Sequence, residues 1–179
     1  MNKLYKNSRF NGQLGYGSYI QCDSDIIGSF VKVNLVKHPF EVPYVSTSPS
    51  FVSLRKQNGS TYVDKQYFEE IRYADSNNKH VVFIGHDCWI GQGFFIVGGV
   101  TIGNGAMVLT HGVVTKDVPL YAIVGGGPAK VLKYRYDEET IKFLLEFEWW
   151  NKDEEWLKQN IHKMYNIELL KEERIYECI

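Results

Sequence analysis

Between Ile84 and Leu120 the apolar positions of this chain recur every six residues. Ile84, Ile90, Ile96, Ile102, Val108 and Val114 are all aliphatic, and a second column two positions ahead of the hexads holds Cys88, Phe94, Val100, Ala106, Gly112 and Val118. A helix repeats near 3.6 residues and a strand near 2, so a strict period of six requires short straight segments joined by tight turns. Such a repeat predicts a parallel β-helix, an all-β solenoid in which three hexads close one triangular coil. Ile84, Ile102 and Leu120 should then lie above one another, as should Ile90 over Val108 and Ile96 over Val114. Gly85, Gly91, Gly98, Gly99, Gly103, Asn104 and Gly105 suit the corners, where backbones approach closely. A Gly-rich set of antiparallel strands is the alternative, and it leaves the common phase of six aliphatic residues unexplained.

The same rhythm appears more roughly from Gly15 to His38. Tyr16-Gly17 and Ile27-Gly28 resemble imperfect hexad starts, and Ile20, Ile26, Val31, Val33 and Leu35 supply apolar positions for one or two early coils. Terminal coils of a solenoid are commonly irregular because one face has no neighbour. The rhythm stops at His38-Pro39 and resumes at Val81, which defines an insert over 39–80. Phe40, Tyr44, Phe51, Tyr62, Tyr67, Phe68 and Tyr73 make it rich in aromatic residues, so it is expected to fold over a surface. Long excursions inside compact domains are commonly functional. Regular coils follow over 81–130, until Gly125-Gly126-Gly127-Pro128 ends the winding. A helical segment over 137–166 comes last. Asp137, with Glu138 and Glu139 behind it, reads as a helix N-cap, Trp149-Trp150-Asn151 as a break, and Asp153 as the start of a second helix. These helices are expected to cover exposed apolar surface and strand edges.

Composition narrows the function classes. At 179 residues the chain is read as a single domain. A net charge of −1, with Lys and Arg dispersed among acidic residues, gives no basic footprint for nucleic acid. No apolar run approaches the length of a membrane span, and the N-terminus carries no apolar segment. Three cysteines, Cys22, Cys88 and Cys178, are odd in number and far apart, unlike a disulfide framework. A soluble cytoplasmic protein is the expectation.

Cys88-Trp89-Ile90-Gly91, Thr101-Ile102-Gly103, the run from Val113 to Pro119, the Gly-Gly-Pro-Ala-Lys ending at Lys130, and Phe147-Glu148-Trp149-Trp150-Asn151 together carry a likeness. In this order they resemble the hexapeptide-repeat acetyltransferases. The insert and the Trp-Trp pair point to the xenobiotic (chloramphenicol and streptogramin) branch and its sugar O-acetyltransferase relatives. The resemblance implies a left-handed parallel β-helix, a hand that spacing does not yield and that parallel crossovers otherwise almost never take. It also implies a homotrimer, with acetyl-CoA as co-substrate in the groove between neighbouring prisms and the acceptor near the insert. No metal is expected.

Acyl transfer from a thioester to a hydroxyl needs proximity, a base for the alcohol proton and donors for the developing oxyanion. An imidazole suits the base role, because its ordinary pKa of about 6.5 lies close to neutrality. Of the five histidines, His38 stands where the early coils give way to the insert, and it matches the family's loop base; otherwise it is a turn residue before proline. Glu41 is a candidate to orient it. His80, His86, His111 and His162 read as insert, corner, cofactor-side and tail-helix residues. A trimeric carbonic anhydrase would need two close histidines and a third from a neighbouring coil, and His80, His86 and His111 do not show that spacing. Cys88 falls in the inward column, where a thiol is not readily ionised, so direct transfer in a ternary complex is favoured over a cysteine nucleophile. The resemblance further assigns Trp89 beside the thioester, Gln92 and Thr110 at backbone-contact positions, Thr115 and Lys116 near pantetheine and phosphates, and Lys130 and Lys133 near the adenosine 3′-phosphate. Lysines suit phosphates as mobile point charges. Two acceptor classes remain, a sugar or glycan-precursor hydroxyl and an antibiotic, together with a non-catalytic trimeric scaffold.

Overall fold

The computed structural model describes residues 12–14, 19–20, 32–34, 37–39, 41–77 and 79–177, with only the backbone course given for the first three segments and for 173–177. Two compact units emerge, Met1–Arg135 and Tyr136–Ile179. The first contains strands β1 (Gly12–Leu14), β2 (Tyr19–Ile20), β3 (Lys32–Asn34), β4 (Val82–Ile84), β5 (Trp89–Ile90), β6 (Phe95–Val97), β7 (Val100–Ile102), β8 (Met107–Val108), β9 (Val113–Val114), β10 (Ala122–Gly125) and β11 (Lys130–Tyr134). They stack as three sheets, β1-β4-β7, β2-β5-β8-β10-β11 and β3-β6-β9. Every pairing except β10 with β11 is parallel. Successive strands therefore fall on successive faces, which is the three-sided parallel coil that a six-residue period demands.

Register follows the hexads. Ile84 pairs with Ile102, Ile90 with Val108 and Ile96 with Val114, each a step of eighteen residues. Those six side chains are 0–1% exposed, and Cys88, Phe94, Val100 and Ala106 of the second column are buried with them in one core. The Cys88 thiol donates to the carbonyl oxygens of Gly103, at 3.1 Å, and His86, at 3.5 Å. Gly91 illustrates the corner requirement: a Cβ there would lie 2.7 Å from the Thr110 nitrogen of the next coil.

The expected place of Leu120 above Ile102 is wrong. Val118 bridges Ile102 instead, and Val124 pairs with Val108, so both steps are sixteen residues and the last coil is two residues short. The cause is local. Asp117 Oδ1 accepts the Thr101 amide at 2.8 Å while the Val118 amide donates to the Thr101 carbonyl at 2.9 Å. A side chain thus does the work of a main-chain acceptor and shortens the corner. Leu120 is left in a turn, 41% exposed.

Among the described residues the early winding is already present at Gly12, ahead of the expected Gly15, and it stacks on the regular coils: Leu14 pairs with Ile84, Ile20 with Ile90 and Val33 with Ile96. Tyr16, Gly17, Ile26, Ile27, Gly28, Val31 and Leu35 lie outside the described residues. At the other end the chain does not simply stop winding at Lys130. It reverses through Gly126–Ala129 and runs back as β11, antiparallel to β10, with all five residues of β11 exposed.

In the second unit, Asp137 caps α1 (Glu138–Phe147) as expected, its Oδ1 accepting the Thr140 amide at 2.8 Å. Glu148, at φ 47°, ends that helix, and Trp149–Asn151 form a 3-10 turn. Asp153 caps α2 (Glu154–Gln159), which is shorter than expected. Ile161–Tyr165 form another 3-10 turn, and a third helix, α3 (Ile167–Glu177), extends beyond the expected end at 166. Asn166 supports its start, as its Oδ1 accepts the Glu168 amide at 3.0 Å. Among the described residues no helix is long and apolar enough to cross a membrane.

Candidate active site

Among the described residues the insert has little regular structure beyond a 3-10 turn at Pro49–Phe51, so its order must come from side chains. Two clusters supply it. Ser50, buried, donates its hydroxyl to Asn58 Oδ1 at 2.8 Å, while its carbonyl accepts the Tyr62 amide at 2.8 Å. Glu70 is the second centre, with a side chain only 2% exposed. Its Oε2 accepts from Ser53 Oγ at 2.6 Å and Gln66 Nε2 at 3.1 Å, its Oε1 accepts from Gln57 Nε2, and Arg55 Nε stands 3.6 Å away. Burial alone would push the Glu70 carboxyl up, but the three hydrogen bonds and the Arg55 charge outweigh it and hold it below the usual value. Aromatic pairs pack around these centres, Phe51 stacked on Tyr62 at 5.3 Å and Tyr44 edge-on to Phe68 at 5.4 Å.

Beyond Glu70 the insert docks on the coils. Gly99 has φ +81°, and a Cβ there would meet the Arg72 stem at 2.2 Å, so Arg72 lies directly across a coil corner. Tyr73 packs against the coil core. Asp75 and His80 pair antiparallel where the chain returns to the winding.

His38 lies four residues past β3, at the root of the insert, and its side chain is exposed. The amide of the preceding Lys37 donates to the Glu70 carbonyl at 2.7 Å, which ties the His38 segment to the buried carboxylate's residue. Among the described residues no hydrogen bond joins Glu41 to the His38 ring; the Glu41 carbonyl accepts the Tyr44 amide at 3.0 Å instead.

The cofactor-side residues fall on the coils and their closing hairpin. Trp89, half-buried in β5, pairs with Tyr19 and Met107. Gln92 and Thr110 occupy corners one coil apart: the Gln92 carbonyl accepts the His111 amide at 2.9 Å, and Thr110 crosses Gly91. Thr115 and Lys116 are exposed after β9. Lys130 joins that neighbourhood, because the Ala129 amide donates to the Val113 carbonyl at 2.7 Å. Lys130 and Lys133 both project from β11, opposite Gly125 and Ile123. Lysines on an edge strand also deter pairing with a foreign strand, so their position serves two ends. Among the described residues, no three His, Cys, Asp or Glu side chains group as a metal site would need.

Sequence reasoning missed two features. Glu70 sits beside Glu69, between Phe68 and Ile71, and no spacing marks it as buried. Arg135 Nη1 binds Asp87 Oδ2 at 3.0 Å and the Gly105 carbonyl at 2.8 Å, and its guanidinium lies over the Tyr121 ring at 5.6 Å, which locks the end of β11 to a coil corner. Burial raises the Asp87 carboxyl above its usual value despite the Arg135 charge and hydrogen bond.

No protein-family model matches the chain. Protein CapG of Staphylococcus aureus is 37% identical over 128 residues, 72% of this chain and 69% of that protein. A match of that length must run through the second half of the insert as well as the regular coils. A chloramphenicol acetyltransferase of Agrobacterium fabrum is 51% identical over 75 residues, 42% of this chain and 36% of its own length. The chain thus spans about a third of the length of that relative. A solved hexapeptide-repeat acetyltransferase of Vibrio cholerae, in complex with acetyl coenzyme A, shares 25% identity over 67% of this chain and 44% of that one, with a TM-score of 0.37. Taken with the stacked hexads and the motifs that run from Cys88 to Asn151, the two curated relatives show that the chain belongs to the hexapeptide-repeat acetyltransferases.

Proposed function

We propose that the protein transfers an acetyl group from acetyl-CoA to a hydroxyl of a sugar or cell-surface glycan precursor, in a ternary complex and without a covalent enzyme intermediate. The observation that carries this reading is His38, an exposed imidazole at the root of an ordered insert whose backbone is fastened to a buried polar centre. In the proposed reaction the imidazole takes the acceptor's hydroxyl proton as the oxygen attacks the thioester carbonyl. Collapse of the tetrahedral oxyanion breaks the carbon–sulfur bond, and the proton leaves with the CoA thiol. Trp89, Gln92, Thr110, Thr115, Lys116, Lys130 and Lys133 are the residues proposed to line the acetyl-CoA site, shared between subunits of a homotrimer. Burial of Cys88 supports transfer without a cysteine nucleophile.

An antibiotic acceptor is the second reading, favoured by the 51% identity to a chloramphenicol acetyltransferase. The insert stretch Pro43–Phe51 resembles that of glycan-modifying members of the family, and on this resemblance a sugar hydroxyl leads. One experiment addresses both readings and a non-catalytic scaffold. Purified protein is given acetyl-CoA with sugar nucleotides, oligosaccharides or chloramphenicol, and thiol release is followed. Turnover with a sugar acceptor is expected, and His38→Ala should lower kcat by about 10²- to 10⁴-fold while the Kd for acetyl-CoA stays within a few fold. Turnover with chloramphenicol alone would move the acceptor to the second reading. No thiol release with any acceptor, or full activity in His38→Ala, would overturn the proposal.

A further inference from the structure

The geometry points to Glu70 as a positioning residue for His38, acting through the insert backbone; this rests on the reading of His38 as the base. Three facts meet at Glu70. Its carbonyl holds the Lys37 amide at 2.7 Å, one residue before His38. Its carboxylate gathers Ser53, Gln57, Gln66 and Arg55, all from the preceding stretch of the insert. Two residues later the Arg72 stem lies across Gly99, on the most regular part of the coils. The segment that bears His38 is therefore referred to the rigid winding through one residue.

The side-chain chemistry requires a carboxylate at this position. Ser53, Gln57, Gln66 and Arg55 all present donors, and an ionised carboxylate offers acceptor sites only. A glutamine of the same shape would turn its NH₂ group against one of these donors and lose that hydrogen bond. Burying a carboxylate is costly even when it is satisfied, and an apolar side chain could fill the space. What an apolar side chain could not do is fix the turn of the insert against residue 70, and so fix the direction of its carbonyl toward Lys37. Those hydrogen bonds and the Arg55 charge hold the Glu70 carboxyl below its ordinary value.

The test combines Glu70→Gln with His38→Ala and reads two quantities. Hydrogen exchange at the Lys37 amide should speed up by about tenfold or more in Glu70→Gln, because its acceptor is no longer held in place. With His38 present, Glu70→Gln should lower kcat by about ten- to a hundredfold with little change in acetyl-CoA affinity. In the His38→Ala background the same substitution should change kcat by less than about twofold, since a residue that acts through His38 has nothing left to position. If Glu70→Gln fails to fold, Ser53→Ala, which removes one donor, should show the same two effects in smaller measure. Unchanged Lys37 exchange in Glu70→Gln would overturn the inference. So would an equal loss of kcat with or without His38, which would make the cluster a general support. If His38→Ala keeps full activity while Lys37 exchange still accelerates in Glu70→Gln, the base assignment falls, and with it the role assigned to Glu70, although the anchor itself stands.

Discussion

In the coils Ile84, Ile90, Ile96, Ile102 and Val108 are each 0% exposed, and each meets its like one coil above or below. In the insert the most deeply placed groups are polar, with Ser53 at 0% and Glu70 at 3%. The first region is held by apolar contact that is non-directional and repeats, so every coil supports the next and no single side chain decides the outcome. The second has few backbone ladders and depends on directional bonds gathered at two polar centres, Ser50 and the Glu70 carboxylate, where loss of one partner weakens the rest. The contrast suits the two duties. A repeated apolar ladder gives a rigid reference frame, and a polar hub lets one loop hold one conformation while its outer face keeps exposed aromatic rings such as Tyr62, 76% exposed.

The strongest way to break the comparison is to bring a charge into the ladder. Ala106 is 0% exposed, among core side chains that are all apolar. Ala106→Lys should cost about 4 kcal/mol or more and abolish a cooperative melting transition. A variant that melts like the parent would show that Ala106 is not a core position.

Acid sharpens the comparison, because Glu70 and Asp87 respond with opposite sign. Glu70 lies below its ordinary value of 4.5, so its contribution is complete above that value and is lost as pH falls through the lower folded value. Asp87 lies above its ordinary value of 3.8, so acidification relieves the cost of its burial. Lowering the pH from 6 toward 3 should therefore disturb amide signals of Ser53, Gln66 and Lys37 before those of the coil strands. Glu70→Gln should flatten that early change. Simultaneous loss of coil and insert signals in the parent would show that the two regions are not separately held.

The smallest effect tests the shortened corner. Leu120→Ala should change stability by no more than about 0.5 kcal/mol, whereas Val118→Ala, at the position that bridges Ile102, should cost about 1–3 kcal/mol. Chemical denaturation of the two variants checks the order, and a reversed order would restore the even hexad register.

The sequence by itself determined the winding. A period of six cannot be met by a helix or a long strand, so Ile84 to Val114 specify three faces and a step of eighteen residues before any contact is known. Caps are equally local, which is why Asp137 and Asp153 could be read from their neighbours alone. What only the tertiary structure decided are pairings between residues far apart in the chain. The Asp117 side chain that replaces a main-chain acceptor and moves Val118 into the place of Leu120 leaves the apolar pattern untouched, so no period reveals it. The reversal into β11 depends on Arg135 reaching Asp87 and Gly105, forty-eight and thirty residues away. His38 was legible as a candidate because it stands where a rhythm ends. Glu70 was not, because burial of a carboxylate depends on donors at 53, 57 and 66 that the insert brings to it only by folding.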